Sequence, residues 1–212
     1  MDKALVIIPT YNEVENIEII VKKTLERKDF DILVVDDMSP DGTADVVLEL
    51  KKNYNSRLFL EQRACKEGLG KAYIQGFRWA LKKKYDFIFE MDADLSHDPK
   101  ELSPMLDCLK SEFDLVIGSR YVKGINVVNW PLSRILLSYF ASLYVRGITF
   151  MPIKDPTAGF VGYTREVLEH LDFKRINFVG YAFQIEMKFK IWSKGYRYKE
   201  HPIIFTNREL GV

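Results

Sequence analysis

The chain has 212 residues, 47% apolar, 13% aromatic and 29% charged, a composition that excludes disordered, collagen-like and disulfide-scaffold proteins and allows one large domain with a sizeable core. Thirty-one Lys and Arg against thirty Asp and Glu leave a formal charge of +1, so no bulk basic footprint points to nucleic acid and any anion site is local. Cys65 and Cys108, the two cysteines, supply neither a disulfide framework nor a C-x-x-C metal spacing and read as reduced, structural thiols.

Pro9 cuts the N-terminal apolar run after five residues, too soon for a secretory signal. No uncharged stretch approaches the ~20 residues of a spanning helix, so the sequence predicts a cytosolic protein that does not cross a bilayer. Ala4–Ile8 reads as the first strand, followed by an amphipathic helix over Asn16–Arg27. The alternation continues with strand Ile32–Val35, helix Thr43–Lys52, strand Leu58–Glu61, helix Lys71–Lys83, strand Phe87–Met91, helix Pro99–Lys110 and strand Leu115–Ile117. Such alternation is the pattern of βαβ units and a mostly parallel sheet. His97-Asp98-Pro99 puts Asp at an N-cap with Pro at the first helical position.

After Tyr121 the pattern loosens. Trp130–Met151 is an aromatic segment whose charges are Arg134 and Arg146. It reads either as a buried core helix or as an amphipathic segment at a membrane interface, with arginines toward lipid phosphates. Gly159–Thr164 reads as a strand, Ala182–Ser193 as a helix, and Arg197–Phe205 as a last strand in which Pro202 predicts an edge or a bulge. With no repeat, low-complexity tract or Ser/Gly linker, residues 1–212 read as a single domain.

The strongest chemical signal is Phe87-Ile88-Phe89-Glu90-Met91-Asp92-Ala93-Asp94, an apolar strand with two carboxylates two residues apart at its C-terminal end. Ligands bind at that edge of an open α/β sheet. Strand alternation puts Asp92 and Asp94 on one face, where both can approach a hard cation that also holds a diphosphate. His97, beside a Pro-started helix, reads as a surface or supporting residue rather than a metal ligand. Val35-Asp36-Asp37 repeats the pattern of acids at a strand end, placed to accept hydrogen bonds from a nucleobase or ribose, whereas Asp41 and Thr43 read as turn and cap. Pro9-Thr10-Tyr11-Asn12-Glu13 stands where a dinucleotide fold carries its glycines and has none, and Walker A is also absent.

In order along the chain, Pro9-Thr-Tyr11-Asn-Glu13-x-x-Asn16, Asp36-Asp37-x-Ser-x-Asp41-Gly-Thr43, Gly68-Leu-Gly70-Lys-Ala-Tyr73, Asp92-Ala-Asp94-Leu-Ser-His97, Gly118-Ser-Arg120-Tyr121, Asn129-Trp130-Pro131-x-x-Arg134, Asp155-Pro156-Thr157-x-Gly159-Phe160 and Phe205-x-x-Arg208 resemble the GT-A glycosyltransferases of family 2. Within them the pattern is most similar to the polyprenol-phosphate mannosyltransferases of the dolichol-phosphate mannose synthase type. The resemblance implies a Rossmann-like three-layer α/β/α fold, with residues 1–120 as the nucleotide-sugar half and 121–212 as the half facing acceptor and lipid. It implies inverting transfer of mannose from GDP-mannose to a polyprenyl or dolichyl phosphate, dependent on Mg or Mn. Pro9, Tyr11, Glu13, Asp37 and Asp92 would bind the donor, and Asp92 and Asp94 the metal. Arg120, Arg134, Ser138 and Arg208 would grip the acceptor phosphate, and Asp94, Arg120 and Arg134 would carry catalysis. The protein would then sit peripherally on the cytoplasmic face of a membrane.

Two departures stand out. Ser96 occupies the position where the family often has a metal-binding Gln, leaving its shorter hydroxyl as the metal ligand or a water in its place, and the chain stops at Val212, where relatives continue, which predicts a trimmed or truncated catalytic unit. Two alternatives stay open: transfer from another donor such as UDP-glucose or to another acceptor, and a non-catalytic nucleotide-binding module, against which the two carboxylates argue. An acceptor that arrives as a phosphate is already anionic and needs no general base. What such a site must supply is charge stabilisation.

Overall fold

The computed structural model describes residues 3–207. Strand β1 (Ala4–Thr10) is followed by α1 (Val14–Leu25), β2 (Phe30–Asp36), α2 (Thr43–Tyr54), β3 (Leu58–Gln62), α3 (Leu69–Lys82) and β4 (Phe87–Glu90). A single 3₁₀ turn, Pro99–Glu101, leads into α4 (Leu102–Ser111) and then β5 (Leu115–Ser119). The predicted N-cap is present there, since the Asp98 side chain accepts from the Lys100 N–H. The second half contributes β6 (Val127–Val128), α5 (Leu132–Thr149), β7 (Val161–Thr164), α6 (Arg165–Glu169), α7 (Tyr181–Ser193), β8 (Tyr198–Pro202) and β9 (Phe205–Thr206).

The main sheet has the order β3-β2-β1-β4-β7-β5-β8, with β7 antiparallel to both its neighbours and every other pairing parallel. Side chains alternate across it and sort into two layers. Leu5, Ile7, Leu33, Val35 and Ile88 pack with Phe77, Leu168 and Phe183 of α3, α6 and α7. Val6, Ile8, Ile32, Val34 and Phe89 pack with Ile20, Val47 and Met105 of α1, α2 and α4. This is the three-layer α/β/α architecture. β7 enters between β4 and β5 from the other end, so the segment just before it, Asp155–Phe160, lies at the edge where β4 and β5 end. No Cβ fits at Gly162 of β7: it would stand 2.5 Å from Phe89 Cε1 on β4.

The last predicted strand is split. β8 pairs parallel to β5 at the edge of the sheet, the edge position that Pro202 predicts, and beyond Pro202 the chain leaves the sheet and pairs β9 with β6. The Trp130–Met151 segment forms α5, but not as a core helix: Ser142 is its one buried residue among those described, and Leu132, Leu137, Phe140 and Tyr144 are exposed. Among the described residues no helix is long and apolar enough to cross a membrane.

Candidate active site

β1, β2 and β4 run parallel, so their C-terminal ends meet at one edge, with Thr10 in register with Asp36 and the Met91 N–H bonded to the Ile7 carbonyl. A cleft of about 240 Å³ opens there, lined by Pro9, Thr10, Tyr11, Glu13, Asp37, Lys66, Gly68, Leu69, Ala72 and Asp92 to Asp94. Six of the residues expected to bind donor or metal (Pro9, Tyr11, Glu13, Asp37, Asp92 and Asp94) therefore come together.

The two loops at one end of the cleft, after β1 and β2, hold each other. The Thr10 hydroxyl donates to Asp36 Oδ1 at 2.8 Å, the Asn12 N–H to Ser39 Oγ at 3.1 Å and the Glu13 N–H to Thr43 Oγ1 at 3.0 Å. Asp41 is the turn residue expected, accepting from Thr43 N–H and hydroxyl and from the Val14 N–H. Asp37 is buried, which pushes its carboxyl up, and the Arg63 guanidinium opposes that shift from 2.7 Å. Arg63 also reaches Glu67 at 2.7 Å, and Lys66 Nζ stands 3.6 Å above the Tyr11 ring. Neither cation was expected from the sequence. The signal was available for Arg63, which directly follows β3 at the ligand-binding edge.

At the other end of the cleft, Tyr73 OH donates to Asp92 Oδ1 at 3.4 Å and the Ser96 N–H donates to Asp94 Oδ1 at 3.1 Å. Leu95 between them has φ +63°, a conformation costly for a branched side chain and typical of over-determined loops at sites. Two carboxylates on one loop suit a hard divalent ion held jointly by protein and substrate phosphates. Among the described residues no third His, Cys, Asp or Glu completes an all-protein cage. Ser96 does not line the cleft with them: it is buried, its hydroxyl has no hydrogen-bond partner, and it borders a second cavity with Lys23, Arg27 and Ile204.

Of the two expected placements of His97, surface or supporting, the structure has the second: it is 2% exposed, stacked on Phe160 with centroids 5.0 Å apart. Burial pushes its imidazole down to about 4. Neutral at pH 7, it accepts the Asp92 N–H on Nδ1 at 3.2 Å, which puts its own proton on Nε2. Phe205 packs edge-on against it at 5.4 Å and against Trp130 at 5.4 Å. This aromatic chain leads from the carboxylates to the arginines. Arg134 lies 4.1 Å above the Trp130 ring and donates to Asn207 at 2.8 Å, while Arg120 stands 5.6 Å from the same ring. Ser138 joins through Tyr121, whose hydroxyl donates to its Oγ at 2.8 Å. Arg120 is buried and forked onto Asp155 through Nε at 2.8 Å and Nη2 at 2.7 Å, with Nη2 also on Thr157. Arg208 lies outside the described residues.

A mostly parallel sheet with one inserted antiparallel strand, bearing paired carboxylates at the carboxyl edge of β4, is the GT-A architecture. A solved mannosyltransferase from Pyrobaculum calidifontis, in complex with GDP-Man and Mn²⁺, superposes with a TM-score of 0.67 at 20% identity, over 97% of this chain and 56% of that one. Glucosyl-3-phosphoglycerate synthase from Mycobacterium tuberculosis, bound to Mn²⁺ and UDP, gives 0.66 at 17% identity, over 98% and 71%. The profile of glycosyl transferase family 2 matches residues 5–172. In sequence the chain is 47% identical to the polyprenol monophosphomannose synthase of Mycolicibacterium smegmatis, over 99% of this chain and 80% of that protein. It is 43% identical to the undecaprenyl-phosphate mannosyltransferase of Micrococcus luteus, over 99% and 86%. The chain belongs to glycosyl transferase family 2 and is a glycosyltransferase.

Proposed function

We propose that this protein transfers mannose from GDP-mannose to a polyprenyl phosphate, with inversion and with a divalent metal. The observation that carries this is the continuous path from the Asp92 backbone, beside the Asp92 and Asp94 carboxylates, through His97, Phe205 and Trp130 to Arg134 and Arg120, which sets a cation-and-diphosphate end against an arginine end. The relatives at 43–47% identity, named for polyprenol and undecaprenyl phosphate mannosyl transfer, support it.

Glu13 and Asp37 hold the base and ribose, with Arg63 keeping Asp37 ionised and oriented. Asp92 and Asp94 would hold the metal, whose positive charge would offset the negative charge developing on the departing diphosphate. Arg134 meets the acceptor phosphate at the protein surface, and Arg120, fixed by Asp155, adds positive charge beside it. The acceptor oxygen is already anionic, so the neutral His97 orients the Asp92 backbone and removes no proton. The exposed apolar side of α5 lies on the cytoplasmic face of the membrane that carries the lipid, bringing Arg134 to headgroup level.

A panel of labelled sugar nucleotides with short-chain polyprenyl phosphate and Mg²⁺ or Mn²⁺ tests this. Transfer from GDP-mannose is expected, and Asp94→Ala lowers its rate by about 10²-fold or more with an unchanged circular dichroism spectrum. Preference for another donor, or full activity in Asp94→Ala, overturns the assignment.

A further inference from the structure

Lys188 is fully buried in α7, on the helix side that otherwise sends Phe183, Met187 and Ile191 into the core. A buried ammonium is tolerated only when its N–H bonds are matched. Here they are: Nζ donates to the Ala158 carbonyl at 2.7 Å, to Gln184 Oε1 at 3.1 Å and to the Gln184 carbonyl at 3.3 Å. The Gln184 amide passes the connection on, Nε2 donating to Glu90 Oε2 at 2.5 Å, and the other Glu90 oxygen accepts from Tyr163 OH at 3.1 Å.

Both ends of this network lie close along the chain to the Asp92 site. Glu90 is the last residue of β4, two positions ahead of Asp92. Ala158 precedes Gly159, where a Cβ would stand 3.5 Å from Asp92 Oδ2 and 3.8 Å from His97 Cε1. The same loop begins at Asp155, which holds Arg120. Lys188 reaches Glu90 only through Gln184, and replacing buried charged groups by apolar ones of similar size is commonly neutral or stabilising, so core stability alone gives no reason for a lysine here. The reason lies in what it holds.

Resting on the reading of Asp92 as a metal ligand, we propose that Lys188 is a positioning residue for donor binding: by holding Ala158 to Gln184 and Glu90 it fixes the approach of the 155–159 loop to the Asp92 carboxylate. It thereby sets the geometry in which metal and diphosphate are held.

The test compares wild type with Lys188→Met, Glu90→Gln/Lys188→Met and Gly159→Ala. It measures Mn²⁺-dependent GDP binding by calorimetry, the bound-Mn²⁺ signal by electron paramagnetic resonance, and Tm. Lys188→Met should lower Tm and weaken Mn²⁺·GDP binding by about 10- to 100-fold, the range seen when supporting contacts of metal ligands are removed. The double variant, with both charges gone, should recover Tm while Mn²⁺·GDP binding stays weak, a split that a purely structural role does not produce. Wild-type affinity in either folded variant overturns the inference. If neither folds, Gly159→Ala decides, because its methyl makes only ordinary contacts: weakened binding supports the placement of the loop, and wild-type affinity overturns it. Absence of metal-dependent GDP binding in the wild type would instead sink the donor assignment on which the inference rests.

Discussion

Arg120 and Arg134 carry the same charge and hold it differently. Arg120 is 7% exposed and spends its fork on the fully buried Asp155. Removing it leaves an uncompensated carboxylate, which costs about 3–5 kcal/mol, so Arg120→Ala should lower stability as well as activity. Arg134 is exposed, over the Trp130 ring, with Asn207 as its partner. Arg134→Ala should leave Tm and GDP affinity unchanged and reduce kcat/KM for the lipid acceptor roughly ten- to a hundredfold, the worth of one charge-assisted hydrogen bond of about 1.5–3 kcal/mol. Lysine should restore part of the loss, replacing the charge but not the planar fork. Acceptor kinetics beside GDP calorimetry check this, and unchanged lipid kinetics in Arg134→Ala remove the residue from the acceptor site.

Among the elements, α5 departs furthest from ordinary packing. A surface helix usually buries a broad apolar stripe, yet this one turns only a narrow line of residues, centred on Ser142, toward the protein. Leu137 is 73% and Tyr144 71% exposed. Immersing such side chains in lipid is worth about 1.5–3 kcal/mol each. Leu137→Glu with Tyr144→Glu should therefore weaken binding to anionic vesicles by more than about tenfold while Tm and turnover of a water-soluble acceptor stay at wild-type values. Co-sedimentation measures it, and equal vesicle binding by the variant shows that α5 is not the contact.

At the scale of the whole molecule, two buried groups tilt stability with pH in opposite directions. His97 falls from its ordinary 6.5 to about 4 in the folded protein, so its contribution is present above 6.5 and lost as the pH drops toward 4. Glu90 rises from 4.5 to about 7, because burial outweighs its hydrogen bonds, and contributes fully below 4.5 and less as the pH climbs through 7. The two oppose each other between 4.5 and 6.5, so a wild-type profile alone does not isolate either. His97→Asn keeps an acceptor for the Asp92 N–H without the titrating ring. Its stability should fall less steeply than wild type from pH 6.5 to 4, by up to about 1.4 kcal/mol per pH unit, in urea unfolding at fixed pH steps. Parallel profiles for the two proteins would contradict a neutral buried imidazole.

The sequence alone determined the strands and helices of the first 120 residues and the carboxylates at their ends, because periodicity, caps and strand-end acids are local in the chain. The paired Asp92 and Asp94, the Asp41 turn and the edge strand carrying Pro202 were all legible for that reason. Only the tertiary structure decided what depends on residues far apart. β7 lies antiparallel between β4 and β5, which brings Asp155 to Arg120 and Gly159 to Asp92. Arg63 meets Asp37 across 26 positions, and Lys188 meets Ala158 across 30. A charge on an apolar helix face was visible at Lys188, but its partners were not. Trp130–Met151 had the composition of a core helix or of an interfacial one, and composition is the same for both: what separates them is whether another element covers the face, and across most of α5 none among the described residues does.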